Sequence, residues 1–201
     1  MPELSRAFPA GDARNAIVDA ALEIFAREGF HGAGMRAIAR AAGVSQPLLS
    51  HHFGGKEGLW RIVGGQITAD FLAFMTDAVD PTLPPETGVP AMLRGYLAFW
   101  KARPLAFRFN RWRRLDGLPD ERMSRSRQMT RHGVAFMQRA QASGFVRNDL
   151  PPGLALIIGG GVIQFWLESQ LEIRDALAAT GDAELTDEAF LAHLVSILRD
   201  R

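Results

Sequence analysis

The side chains best suited to chemistry lie in Met35–Phe53, MRAIARAAGVSQPLLSHHF, and that chemistry is hydrogen bonding to nucleic acid rather than bond making. Gln46 carries a donor and an acceptor side by side, a pattern that pairs bidentately with an adenine edge. Leu48 has no inward task in a helix that buries Leu49 and Phe53, and suits a thymine methyl. Ser45 and Pro47 flank the same face. Ser50, His51 and His52 reach phosphate oxygens or, for His51, a purine acceptor. Half or more of protein–DNA hydrogen bonds go to the backbone, so His52 is expected to position rather than specify. Arg36 and Lys56 each stand at the start of a neighbouring helix. A cation at a helix N-terminus favours a phosphate oxygen.

Two short helices and a tight turn must hold these groups. Ile38, Ala39 and Ala42 line one face of the first helix, and Gly43 ends it, because a residue without Cβ takes the left-handed cap conformation at least cost. Ser45 is a good N-cap for the second helix, and Pro47 falls in its first turn, where a missing N–H costs little. Leu49 and Phe53, four apart, point back to the core. Ala39 must be small for the second helix to cross it, and Val44 plugs the turn. Small–x3–Gly–x5–Leu at this spacing matches a helix-turn-helix; an ordinary corner in a helical core is the alternative.

Composition narrows the function classes. The 201 residues suffice for a core without staples, and the absence of cysteine removes disulfides and thiolate chemistry. There is no HExxH, no glycine-rich phosphate loop, and the five histidines are scattered. His51 and His52, adjacent on a helix, diverge too widely to chelate one metal. No catalytic residue, metal site or cofactor is therefore expected, and an enzyme is the least favoured reading. MPELSRAFPAGDAR lacks the apolar run of a signal peptide, and Leu154–Leu167 is too short to span a bilayer, so a cytoplasmic protein with no membrane partner is expected. Charge is uneven. Arg94–Arg147 holds 13 basic residues against 3 acidic, and Asn148–Arg201 holds 3 against 9. These segments are expected to pair with each other, within or between subunits, with an anion-binding cavity as the alternative.

Periodicity gives an all-α chain. Residues 1–11 read as a flexible tail, and Asp12 caps a helix running to about Glu28, ended by Gly29 with Phe30 folding back as a lid. A long helix starts near Lys56. DPTLPPETGVP, Asp80–Pro90, is a proline-rich break. Helical patterns resume over Ala91–Ala102, Pro104–Leu115, Glu121–Ser143, Leu154–Leu177 and Asp187–Arg199. The domains are expected at 12–58, carrying the helix-turn-helix, and at 59–201.

From Asn15 to Leu59 the chain resembles the DNA-binding domain of TetR-family transcriptional regulators. AIVDAALEIFAREGF, IARAAGVSQPLLSHHF and GKEGL carry the resemblance, and GFVRNDLPPGLALIIGG is similar to a later turn and helix. It implies about nine helices, a dimer built by the last two, and a ligand cavity in the larger domain that controls affinity for DNA. Gly34, Leu48, Ser50 and His52 depart from the residues usual there, which alters phosphate clamping and base preference.

Reading two half-sites needs a symmetric homodimer. Leu156, Gly160, Ile163 and Leu167, with Phe190, Leu194 and Leu198, are expected to build its interface. Gly159, Gly160 and Gly161 suggest close approach of another backbone, or a kink inside one subunit's core. For an effector cavity the candidates are Trp100, Phe107, Trp112, Phe136 and Trp166, with Arg103, Arg108, Arg111 and His132 to orient an anionic group. The function expected is a ligand-responsive repressor on a palindromic double-stranded operator, released by a small molecule. The other reading is a helical protein-interaction module.

Overall fold

The computed structural model describes residues 10–78, 80, 82–116, 119–182 and 184–199, and the side chains of these apart from 10–13, 119–126, 128 and 129. Ten α-helices follow one another among the described residues: α1 (Ala10–Gly32), α2 (Met35–Ala41), α3 (Gln46–Phe53), α4 (Gly55–Ala78), α5 (Pro85–Lys101), α6 (Pro104–Leu115), α7 (Pro119–Ala142), α8 (Pro152–Glu168), α9 (Gln170–Thr180) and α10 (Asp187–Leu198). The expected tail lies outside the described residues as far as Pro9. Ala10 and Gly11 already belong to α1, so Asp12 is not its cap.

The chain divides into two compact units. One holds everything up to Asp70 together with Arg103–Arg125, the other Phe71–Ala102 together with Ser126–Arg201. This division crosses the boundary expected near residue 58. Leu59 and Trp60 are buried, and α6, far away in sequence, joins the first unit. The reason is aromatic packing. Trp60 of α4 meets Phe25 of α1 edge-on at 4.9 Å and Phe109 of α6 at 4.4 Å.

Gly29 breaks α1 where the helix was expected to end, and its φ of 71° and ψ of −176° kink the chain before the last residues of the element. Two hydrogen bonds from α6 and its C-cap fix the kink: the Trp112 indole N–H donates to the Ala26 carbonyl at 3.1 Å, and the Phe30 N–H donates to Asp116 Oδ2 at 3.3 Å. Phe30 then packs edge-on against Trp60 at 5.3 Å, the lid expected of it. In the first turn of α4, at Gly58, there is no room for a side chain. A Cβ built on Gly58 would lie 1.8 Å from the Phe53 carbonyl oxygen.

In the second unit Leu93, Leu97, Met137, Ile163, Leu194 and Leu198 pack into one core. Helix α5 starts at Pro85, earlier than expected, because prolines suit a helix's first turn; Pro90 is carried inside it. The apolar run expected as one helix, Leu154–Leu177, is two, bent by 92° at Ser169. No single described helix is long and apolar enough to cross a membrane. Helix α9 buries none of its residues.

The basic middle and the acidic end do meet within this unit. Arg94 pairs with Glu188 at 3.3 Å, and Lys101 pairs with Asp187. Burial pushes the Asp187 carboxyl up, but the Lys101 ammonium and the Trp166 indole N–H outweigh it and hold the group below the usual carboxylate range. A depressed folded value means stability present above the ordinary carboxylate range and lost as pH falls through that folded value. Asp187→Asn is therefore expected to cost about 0.5–1.5 kcal/mol at pH 7, a cost that shrinks as pH falls through the carboxyl's depressed folded value. Urea denaturation across an acid pH series checks this; a cost unchanged by acid would remove the carboxylate's part.

Candidate nucleic-acid interface

The turn between α2 and α3 follows from backbone bonds its own residues make. Gly43 adopts φ 68°, the Gly43 N–H donates to Arg40 O at 3.2 Å, and the Val44 N–H donates to Ala39 O at 3.0 Å. This reciprocal pair closes α2 as a Schellman motif. Ser45 then starts α3, its hydroxyl oxygen accepting from the Leu48 N–H at 3.4 Å, with Pro47 in the first turn. Leu49 (0% exposed) and Phe53 (5%) anchor the helix from below. Each contributes about 1.5–3 kcal/mol by burial, which holds α3 in one orientation.

The opposite face is free for a ligand. Gln46, Pro47, His51 and His52 are exposed, Ser50 is half-buried, and Leu48 keeps 44% of its surface in contact with water. An apolar side chain so exposed at a helix start is consistent with the thymine-methyl role assigned to it. His51 and His52 diverge, their rings meeting edge-on at 5.4 Å. Arg36, exposed on α2, donates from Nε to Gln46 Oε1 at 3.3 Å, so the first turns of α2 and α3 are tied by their side chains. Lys56 is less free than expected: its ammonium donates to the His31 carbonyl at 3.2 Å and lies 4.9 Å from the Phe30 ring centre. Ser45 is likewise occupied as a cap.

The nine residues expected around an effector are divided between the units. Arg103, Phe107, Arg108, Arg111 and Trp112 belong to the first, where Trp112 is engaged at the α1 kink. Trp100, His132, Phe136 and Trp166 belong to the second; all but the exposed His132 are buried. Trp166 stacks on Phe190 at 4.2 Å and, with Lys101, Gln170 and Asp187, lines an open cleft of about 550 Å³.

The expected interface residues need correction. Ile163, Phe190, Leu194 and Leu198 are buried in the unit's own core, and Leu156 and Leu167 pack against it, so they offer a partner little surface. Gly159 meets the Leu93 side chain and Gly160 the Tyr96 ring, both within the unit. The surface of α8 is instead its other side: Leu154, Ile157, Val162 and Phe165 are 43%, 66%, 37% and 53% exposed, and Ile197 of α10 is 59% exposed.

Fold and site together define a helix-turn-helix DNA-binding module joined to a second helical unit. Comparison with known proteins agrees. The family described as bacterial regulatory proteins, tetR family, matches residues 17–61. RaaS of Mycobacterium tuberculosis, an HTH-type transcriptional regulatory protein, is 65% identical over 43 residues, 21% of this chain and 20% of that one. That match spans a fifth of RaaS. BetI of Escherichia coli, an HTH-type transcriptional regulator, is 28% identical over 79% of this chain and 82% of its own. A crystal structure from Streptomyces coelicolor, described as a transcriptional regulator, superposes with TM-score 0.70 at 26% identity, covering 92% of this chain and 95% of the other. Residues 17–61 therefore match the DNA-binding domain of the tetR family, and the relatives that the chain resembles over most of its length are regulators of transcription.

Proposed function

We propose that the chain acts in the cytoplasm as a homodimeric repressor on a palindromic operator and leaves it when a small-molecule effector binds. The observation that carries this reading is the presented start of α3, where Gln46, Pro47 and Leu48 stand outward on the buried anchors Leu49 and Phe53. A recognition helix meets base edges with its N-terminal residues, and one such helix covers one half-site. The other half-site requires a symmetric partner. Exposed apolar residues on α8 and α10 supply a self-complementary face, larger than isolated surface residues need.

Ligand and DNA are coupled if the effector favours a conformation with the reading helices off operator spacing, a coupling of about 1–3 kcal/mol in typical two-site systems. Helix α4, which contributes to both units, is the proposed carrier. Trp100, His132, Phe136 and Trp166 remain the effector candidates in the second unit, for a hydrophobic ligand with an acidic group. The 12–58 segment is proposed as sufficient for base contact.

Selection from randomised duplexes, followed by mobility-shift titration, tests the reading. A palindromic consensus is expected, and Gln46→Ala with His51→Ala should weaken binding about a hundredfold with helicity unchanged. Retention of wild-type affinity by the double variant would defeat it. Adding hydrophobic acids or their neutral amides to the same titration reads the effector; equal release by both classes would remove the acidic group.

A further inference from the structure

We propose that the homodimer is acid-labile and that His193 makes it so, because a proton taken up there puts a charge into an apolar interface. The inference rests on the α8–α10 interface proposed above and names a regulation of that same surface. His193 belongs to α10 and is exposed in the protomer. Phe190, His193 and Ile197 are spaced three and four apart, so they run along one edge of the helix. That edge lies against α8. Phe190 stacks on Trp166 at 4.2 Å, and towards the other end of α10 Leu198 lies 3.7 Å from a Cβ built on Gly159. Phe190 is buried and Ile197 is 59% exposed, so His193 stands where the core side of α10 gives way to its outer surface.

The outer side of α8 is uncharged. Leu154–Leu167, LALIIGGGVIQFWL, holds no ionisable residue, and Leu154, Ile157, Val162 and Phe165 are exposed. A surface without charge serves as its own complement, which suits a second copy of this chain better than a charged partner. Gly161 points the same way. It sits four residues from both Ile157 and Phe165, and a Cβ there would meet nothing within 4 Å among the described residues. Glycine weakens a helix relative to alanine, so its presence on this face fits the close approach of another helix.

The other charged groups on these helices have partners of their own or lie at the ends. On α10, Asp187 pairs with Lys101 and Glu188 with Arg94, both of α5. Arg199, which caps α10, lies 5.1 Å from the Phe145 ring centre. On α8 the first acidic residue is Glu168, the last of the helix. His193 is therefore the one charge-bearing side chain along the middle of the two outer faces.

Histidine is the side chain whose charge ordinarily changes between pH 5 and 8. Burial in an apolar interface disfavours its charged form. The dimer then binds fewer protons than two separate chains. Its stability is present above the ordinary histidine range and is lost as pH falls through that range. A two-fold axis supplies two such residues, which doubles the effect.

Sedimentation equilibrium of the full chain at pH 8 and pH 5.5 tests this, with circular dichroism following the fold. The dimer dissociation constant is expected to rise by up to about a hundredfold on acidification. His193→Gln should dimerise as the wild type does at pH 8 and keep that affinity at pH 5.5. His193→Lys, charged at both values, should be weak at both. Operator binding is a poorer readout, because α3 carries His51 and His52 and would add a pH dependence of its own. A wild-type dimer indifferent to pH, or one tightened in acid by the partner's Glu168, would overturn the role of His193 and leave the interface standing. So would an acid response retained by His193→Gln. A chain monomeric at pH 8, or an Ile157→Asp chain that stays dimeric, would overturn the interface and this inference together.

Discussion

Gly29→Ala is expected to cost about 3–5 kcal/mol, a large share of the 5–15 kcal/mol by which domains are usually stable. Two effects add. The backbone at Gly29, φ 71° and ψ −176°, lies in a region that is essentially restricted to glycine. A Cβ there would also stand 2.8 Å from Asp116 Oδ2 and 2.9 Å from the Trp112 ring. Neither neighbour moves freely, because Asp116 accepts from the Phe30 N–H and Trp112 donates to Ala26. Relief would break the bonds that join α6 to the kink. Gly181→Ala is the milder reference: that residue has φ 76° and ψ 14°, in the left-handed region that other residues reach at moderate cost, and nothing within 4 Å of the added carbon, so about 1–2 kcal/mol is expected. Urea denaturation of both variants gives the comparison. Equal losses would mean that crowding by α6 contributes nothing.

Ile157→Asp and Phe165→Asp should yield folded monomers whose operator affinity falls by two orders of magnitude or more. Both residues are more than half exposed in the chain itself, at 66% and 53%, so the folded protomer should change by no more than about 0.5 kcal/mol. In an isologous interface the same carboxylates would lie buried and unpaired, at a cost of several kcal/mol. Ile163→Asp is the contrasting change. Its parent is wholly buried, and an aspartate there should unfold the second unit. Sedimentation equilibrium with circular dichroism separates these outcomes. A dimeric Ile157→Asp chain would rule out α8's outer side as the interface.

Legibility in the sequence followed the range of the interactions. The α2–α3 turn was readable because its determinants are local: Gly43, Ser45 and Pro47 act on backbone within a few residues of themselves. The anchors Leu49 and Phe53 were readable from spacing. The bend at Ser169 was not, since no glycine or proline marks it and apolar residues continue on both sides. Nor was the useful face of α8, because a helix hydrophobic nearly all round has no periodicity to say which side is core. Leu156 and Ile157 look alike until the fold buries one against the core and leaves the other in water. The membership of α6 in the first unit depends on Phe109 and Trp112 meeting residues more than eighty positions earlier, which no local pattern encodes. The Arg36–Gln46 bond was hidden for the same reason: each was visible as a DNA contact, but their junction exists only once the turn folds.

The absence of space at Gly58 has a mechanical corollary. Where side chains form a joint, rotamer changes absorb small displacements, and a push at one end arrives diminished at the other. At Gly58 the first turn of α4 meets the Phe53 carbonyl of α3 as main chain, with no side chain between them. A tilt imposed on the long shaft is therefore expected to lose less at this point on its way to the reading residues.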